Sequence, residues 1–322
     1  MTILQPAFSP VEADPLRQTI RRSQDFLLSL QLPDGYWQGE LHVDATLCAD
    51  TLLHMHWSGR IDEILQAKCA DHIRRKQTAD GGWNIFVGGP SEINASVKAY
   101  FALKLAGDSP NASWMREARA NILRLGGIPQ VNTYCRLYLA LLGQFPWDYV
   151  PTIPPEIFLF PRWFFFNIHE MSSWSRTIIA PLAILNHFKP TRNLPAAQQL
   201  HELYPAGMGD ADFSLKKDRR FWAWRNFFLR CDAVLKIYNR IPVHPLRKLA
   251  LKRTEEWMTA RMGEGSEGLS AIFPAMLNSL MALQTLGYPA DHPLVQKAEA
   301  DFAGLFLDDA DGFRIQPCLS PV

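Results

Sequence analysis

Apolar residues along this chain recur at intervals of three and four, the spacing that lays a stripe along a helix and not the alternation of a strand. The pattern predicts a helix over residues 16–30, stopped by Pro33-Asp34-Gly35. A second run, 45–57, ends at Ser58-Gly59, and a third, 61–76, is closed by Asp80-Gly81-Gly82. A fourth, 91–105, has Ser91 as its expected N-cap and Gly107 as its stop. Alternating runs bounded by Asn-Gly or Asp-Gly hairpin turns are nearly absent, so the predicted class is all-α.

The predicted helices come in pairs, and two of the turns share a motif. QLPDGYWQGE sets Gln31, Gly35 and Trp37 at the spacing at which QTADGGWNIF sets Gln77, Gly81 (or Gly82) and Trp83. The 46 positions from Trp37 to Trp83 hold two helices with their connections, and repeats of that length stack helical hairpins into solenoids or rings. Further on, FPWDYVPTIPPEIFLFPRWFFFNIHEMSSW breaks the periodicity with prolines and aromatics, the composition of a loop that lines a cavity.

Charge changes this picture in one place. The 322 residues are 48% hydrophobic and 20% charged with a formal net charge of +1, which describes a folded chain and gives no electrostatic reason for a nucleic-acid partner. Between residues 216 and 253, however, twelve Lys or Arg face only Asp218 and Asp232. Within that stretch Phe221, Trp224, Phe228, Cys231, Leu235 and Tyr238 fall on one helix face, with Arg225, Lys236 and Arg240 elsewhere on the wheel. An aromatic face flanked by cations suits the headgroup boundary of a bilayer; an ordinary core helix with a solvated face is the competing reading. No run of 18 apolar residues is present, so attachment to one face of a membrane is expected, not a span. The first 15 residues read as a tail without a secretory signal, which places the expected attachment on the cytoplasmic side. Cys48, Cys69, Cys135, Cys231 and Cys318 form no C-x-x-C pair and read as reduced thiols.

Longer segments carry a resemblance. SSWSR (172–176) after NIHEM, VPTIPPEIFLFP (150–161), TYCRLYLALLGQFPW (133–147), GGPSEINASVKAYFALK (88–104), SAIFPAM (270–276) and RIQPCLSPV (314–322) resemble, in order and spacing, the N-terminal half of squalene-hopene-type cyclases of the terpene cyclase/mutase family. The resemblance runs from about residue 16 to the last residue and implies an α/α barrel over 16–322. In it each repeat Gln would cap the start of a neighbouring helix and stack on the repeat Trp. Two later repeats are degenerate, with Met262 and Glu267 in one and Phe313 in the other at the Gln or Trp positions.

The implied activity is cofactor-free, acid-initiated polycyclisation of squalene or a related polyprene. The resemblance places Trp174 in the substrate cavity, Ile272 and Pro274 at its edge, and Asp50 and Arg136 near its lower end, Arg136 pairing with acid groups. Phe273 departs from a Gln expected there, and Lys98 replaces a Glu expected opposite Arg136. Met171 and Ile179 match an apolar channel between membrane and cavity. The family's DxDD acid motif does not occur in these 322 residues: Asp308-Asp309-Ala310-Asp311 and Asp210-Ala211-Asp212 have the wrong order or length. The expected partners are therefore a polyprene, a membrane surface, and a complementary DxDD-bearing half or a second copy. Three rival readings are a non-catalytic polyprene-binding barrel, a truncated relic, and a zinc-dependent protein prenyltransferase subunit. Cys48, Asp50, His54 and His56 lie on one predicted helix, which cannot wrap four side chains round one ion, so no metal is expected.

Overall fold

The computed structural model describes residues 10–37, 39, 41, 43–164, 167–241, 243–263 and 265–318. The chain divides into two compact units, Met1–Leu41 with Leu319–Val322, and His42–Cys318.

The first unit carries helix α1 (Pro10–Ser29), which begins ahead of the predicted start at Leu16, at a proline that a first helical turn accommodates. Residues 10–15 of the predicted tail are thus helical, and residues 1–9 lie outside the described residues. The first repeat turn folds back on α1: Gln31 Nε2 donates to the Gly35 carbonyl at 2.7 Å, and Trp37 Nε1 to that of Leu27 at 2.6 Å.

The second unit contains α2 (Thr46–Ser58), α3 (Glu63–Arg75), α4 (Ile93–Leu105), α5 (Ser113–Arg124), α6 (Thr133–Leu141), α7 (Ser173–Phe188), α8 (Trp224–Arg240), α9 (Arg247–Thr259), α10 (Phe273–Leu286) and α11 (Pro293–Ala303). Their burial sorts them into two layers. Helix α4 buries every residue from Ala95 to Leu105, and α2, α6 and α10 are nearly as enclosed. By contrast α3, α5 and α11 bury only a stripe, in α11 Val295, Ala298 and Phe302. Inner helices touch one another, α2 against α4 and α10, and α7 against α10; outer helices back them, α3 on α2, α5 on α4 and α11 on α10. The molecule is all-α in class, with paired inner and outer helices.

The second repeat turn shows what the Gln-Gly-Trp spacing does. Trp83 is fully buried and donates from Nε1 to the Ile73 carbonyl at 2.8 Å. Gln77 Nε2 donates to the carbonyls of Gly81 at 2.7 Å and Trp114 at 2.9 Å, the latter in the first turn of α5. The glutamine does reach the neighbouring helix start, but it bonds a carbonyl there and caps no amide. The expected cap of α4 also changes hands: Glu92 accepts from the Asn94 and Ala95 amides, while Ser91 bonds Thr78 Oγ1 at 2.9 Å.

Among the described residues, one element departs from helix. Strands β1 (Phe306–Asp309) and β2 (Gly312–Ile315) form an antiparallel hairpin, Phe306 opposite Ile315 and Asp309 opposite Gly312. It occupies the most degenerate repeat, where Phe313 and Ile315 alternate inward. Asp308 and Asp309 stand exposed on it, paired with Lys68 at 2.5 Å and Arg314 at 2.8 Å. They are ion-pair partners on the surface.

Candidate functional site

Two inner helices begin side by side. The start of α7 is fixed by Asn167, whose Oδ1 accepts from the His169 and Glu170 amides and whose Nδ2 donates to the Phe164 carbonyl at 2.8 Å. Ser172 then caps α7 by accepting from the Ser175 amide at 3.2 Å. This delivers Trp174, second residue of the helix, to the surface with 58% of its area exposed. Met171 and Ile179 are half-buried.

The start of α10 is built differently. Ser270 and Ala271 both take left-handed backbone conformations, φ 61° and 49°, a strained pair for residues bearing a Cβ. Ile272 then runs extended and buried, bridged to Cys318, and the Phe273 amide donates to the Pro317 carbonyl at 2.8 Å. Pro274 follows in the first turn, where its missing N–H is no loss. Phe273, standing where the resemblance expects Gln, is buried against Phe302 with ring centroids 5.3 Å apart. Because α7 packs along α10, the two starts enclose a cleft of about 550 Å³, lined by Ser173 and Arg176, by Trp257 and Arg261, and by Ser270 and Ala271. Trp174 and Ile272 each adjoin residues that line it. The proline-broken segment contributes from behind: Phe158 packs on Trp257 at 5.6 Å.

Asp50 and Arg136 are not at this cleft. Asp50 lies in the core on α2 and pairs with Lys98 of α4 at 2.8 Å, both nearly inaccessible. The Lys98 ammonium sits 4.8 and 4.9 Å from the ring centroids of Tyr134 and Tyr138. Tyr138 donates to Asn278 Oδ1 at 3.0 Å, and Asn278 Nδ2 donates to the Tyr134 hydroxyl at 3.0 Å, so the network ties α2, α4, α6 and α10 together. Burial pushes the Asp50 carboxyl above the ordinary range, and Lys98 opposes that shift. The expectation that Arg136 pairs with acid groups is corrected. Its guanidinium donates to three backbone carbonyls, of Val131, Phe213 and Pro129, at 3.1, 2.7 and 3.1 Å. Asp212 is the acid whose charge acts on it, without an ion pair, and Asp50 is engaged by Lys98. The predicted cavity residues therefore fall in three places: Trp174, Ile272 and Pro274 around the cleft, Asp50 in a core network, and Arg136 clamping loops.

No group of three metal-ligating side chains converges among the described residues. On α2, His56 bonds Gln66 at 2.8 Å, and Cys48 lies against Cys69 of α3.

The aromatic, basic segment forms α8, with its exposed face rotated from the predicted one. Trp224, Phe227, Phe228, Val234 and Ile237 face outward, Trp224 with 70% of its area exposed. Cys231, Leu235 and Tyr238 are half-buried, and the Tyr238 hydroxyl donates to Glu156 at 3.1 Å. Phe221 precedes the helix, exposed, with the Arg230 guanidinium 4.1 Å over its ring. Arg247 holds the far end of α8 in place, bonding Glu156 at 2.6 Å, Asn239 at 2.8 Å and His187 at 3.0 Å. Spacing on one wheel located this helix but not its outward face, which depends on Glu156 and Arg247 far away in sequence. No helix among the described residues is long and apolar enough to cross a membrane.

Paired inner and outer helices, with Gln-Gly-Trp turns at residues 31–37 and 77–83, define a helical-hairpin fold of the α/α type. Sequence comparison gives the family. The pattern of the squalene-hopene cyclase N-terminal domain matches residues 20–311, and the chain belongs to that family. It is 35% identical to the squalene-hopene cyclase of Zymomonas mobilis over 96% of this chain and 47% of that protein. It is 33% identical to the squalene-hopene cyclase of Alicyclobacillus acidocaldarius over 97% of this chain and 48% of that protein. Dammaradiene synthase of Dryopteris crassirhizoma is 32% identical over 95% of this chain and 44% of its own length. The chain thus spans about half the length of these relatives.

Proposed function

We propose that this chain is the N-terminal portion of a triterpene cyclase that converts squalene or a related polyprene to a polycyclic product through carbocations. What supports the reading is the family match over residues 20–311, together with exposed Trp174 next to Ser173, which lines the cleft between the starts of α7 and α10. An exposed indole offers its face to positive charge, an attraction of about 0.5–2 kcal/mol per ring that grows when water is excluded. On this reading Ile272 and Pro274, which follow the lining residue Ala271, back the opposite side. Protonating an alkene requires a strong, dry acid, and the family's DxDD is not found in these 322 residues, so the acid comes from a complementary half. This chain then supplies wall and not proton.

The exposed aromatic face of α8 attaches the barrel to the cytoplasmic side of a membrane, from which a hydrocarbon enters past Met171 and Ile179. Photolabelling with a diazirine-bearing polyprene tests the site. The expected labelled peptides contain residues 171–179 and 270–274. Labelling confined to α8 would instead favour a barrel that holds polyprenes at its membrane face without enclosing them.

A further inference from the structure

The cleft between the starts of α7 and α10 carries more charge than a hydrocarbon needs. Three enclosed cations of this fold have acid partners, Lys98 with Asp50, Lys104 with Glu202 and Arg247 with Glu156, and Arg136 is satisfied by three backbone carbonyls. Arg176 and Arg261 line one cleft and neither forms an ion pair among the described residues. Arg261 is held in place by stacking 3.9 Å over the Trp257 ring and by donating from Nη1 to the Trp257 carbonyl at 2.9 Å. Its remaining donors stay available. Burial first, and Arg176 on the same cleft second, hold its pKa below the ordinary value.

The surroundings add donors. Ser173 and Ser270 line the cleft, and Ser172 Oγ is taken up by the amide and the hydroxyl of Ser175. Glu267 also lines the cleft, exposed and unpaired with either guanidinium.

We infer that this cleft is a binding site for a diphosphate group, held between the Arg176 and Arg261 guanidiniums. A single carboxylate is satisfied by one guanidinium fork, whereas two forks on separate elements suit an anion with two centres of charge. The cleft volume of about 550 Å³ leaves room beside such a group. Exposed Trp174, adjoining Ser173, offers an apolar surface to whatever the diphosphate is attached to. The site is independent of the cyclisation reading, since it requires only that the cleft be as described.

Equilibrium dialysis of the full chain in detergent with radiolabelled inorganic pyrophosphate tests it. Saturable binding is expected, weaker with inorganic phosphate, and reduced about tenfold or more by Arg176→Gln and by Arg261→Gln. Arg116→Gln, which removes the same charge from an exposed site on α5, should leave it unchanged. Absence of saturable binding overturns the proposal. So does equal affinity for phosphate and pyrophosphate, or equal loss in all three variants. Circular dichroism confirms folding, and if Arg261→Gln does not fold, the half-exposed Arg176→Gln decides.

Discussion

Asp50 and Lys98 meet in a core where neither charge reaches water, so each depends on the other. Lys98→Ala, which strands the carboxylate, should destabilise the chain by about 3–5 kcal/mol in urea unfolding. Asp50→Leu combined with Lys98→Met should cost less than Lys98→Ala alone, because no charge is then left buried; a larger loss would show that the pair contributes more than its mutual compensation. His54, also on α2, behaves in the opposite sense. It is buried with no partner for Nε2, and burial, then Arg60, lowers its pKa to about 4. The unfolded chain takes up that proton near pH 6.5 and the folded chain only near 4. The contribution of neutral His54 is therefore complete above about 6.5 and lost as pH falls towards 4, up to about 3 kcal/mol. Unfolding free energies at pH 7.5 and 5 should converge in His54→Gln; an unchanged slope would assign the acid sensitivity elsewhere.

The two repeat turns look alike in sequence and differ in what surrounds their glycines. Gly35 and Gly81 both have left-handed backbones, φ 88° and 84°. A methyl group on Gly35 meets nothing within 4 Å, whereas one on Gly81 lies 2.8 Å from the Glu117 backbone. Gly35→Ala should cost only the left-handed penalty, about 1–2 kcal/mol, and Gly81→Ala clearly more, read as thermal midpoints; equal losses would contradict the packing of this turn on α5. On α8 the outward rings are the proposed membrane contact. Trp224→Ser with Phe228→Ser should leave the fold intact and reduce sedimentation with liposomes by about tenfold or more, since each buried aromatic contributes about 1.5–3 kcal/mol.

Element by element, what could be read in the sequence divides by range. The ends of α2, α3 and α4 were set by local signals such as Gly59, which takes the left-handed C-cap of α2, and were legible within a few residues. Glu92 displaced Ser91 as a cap because Ser91 is held by Thr78 across the turn, a contact that spacing does not reveal.

At the scale of the whole molecule, the layered helices follow from periodicity and the repeats, and the cleft does not. Trp174 and Ile272 were singled out by resemblance, but Arg176, Trp257 and Arg261 come together only because α7 packs on α10 and α9 ends beside them. Their signal in the sequence is faint: an Arg two residues after Trp174 and another after α9, neither next to an acid. Asp50 and Arg136 were legible as residues but not as neighbours, since Lys98 and three carbonyls take the places expected for charged partners. On the proposed function, turnover needs a DxDD acid, which these 322 residues do not contain. The direct measurement is mass spectrometry of the hydrocarbons formed from squalene by this chain alone, by a separately expressed DxDD-bearing half, and by the two mixed. The account predicts cyclised product only in the mixture, lost or redirected by Trp174→Ala; product from this chain alone, or none from the folded mixture, would contradict it.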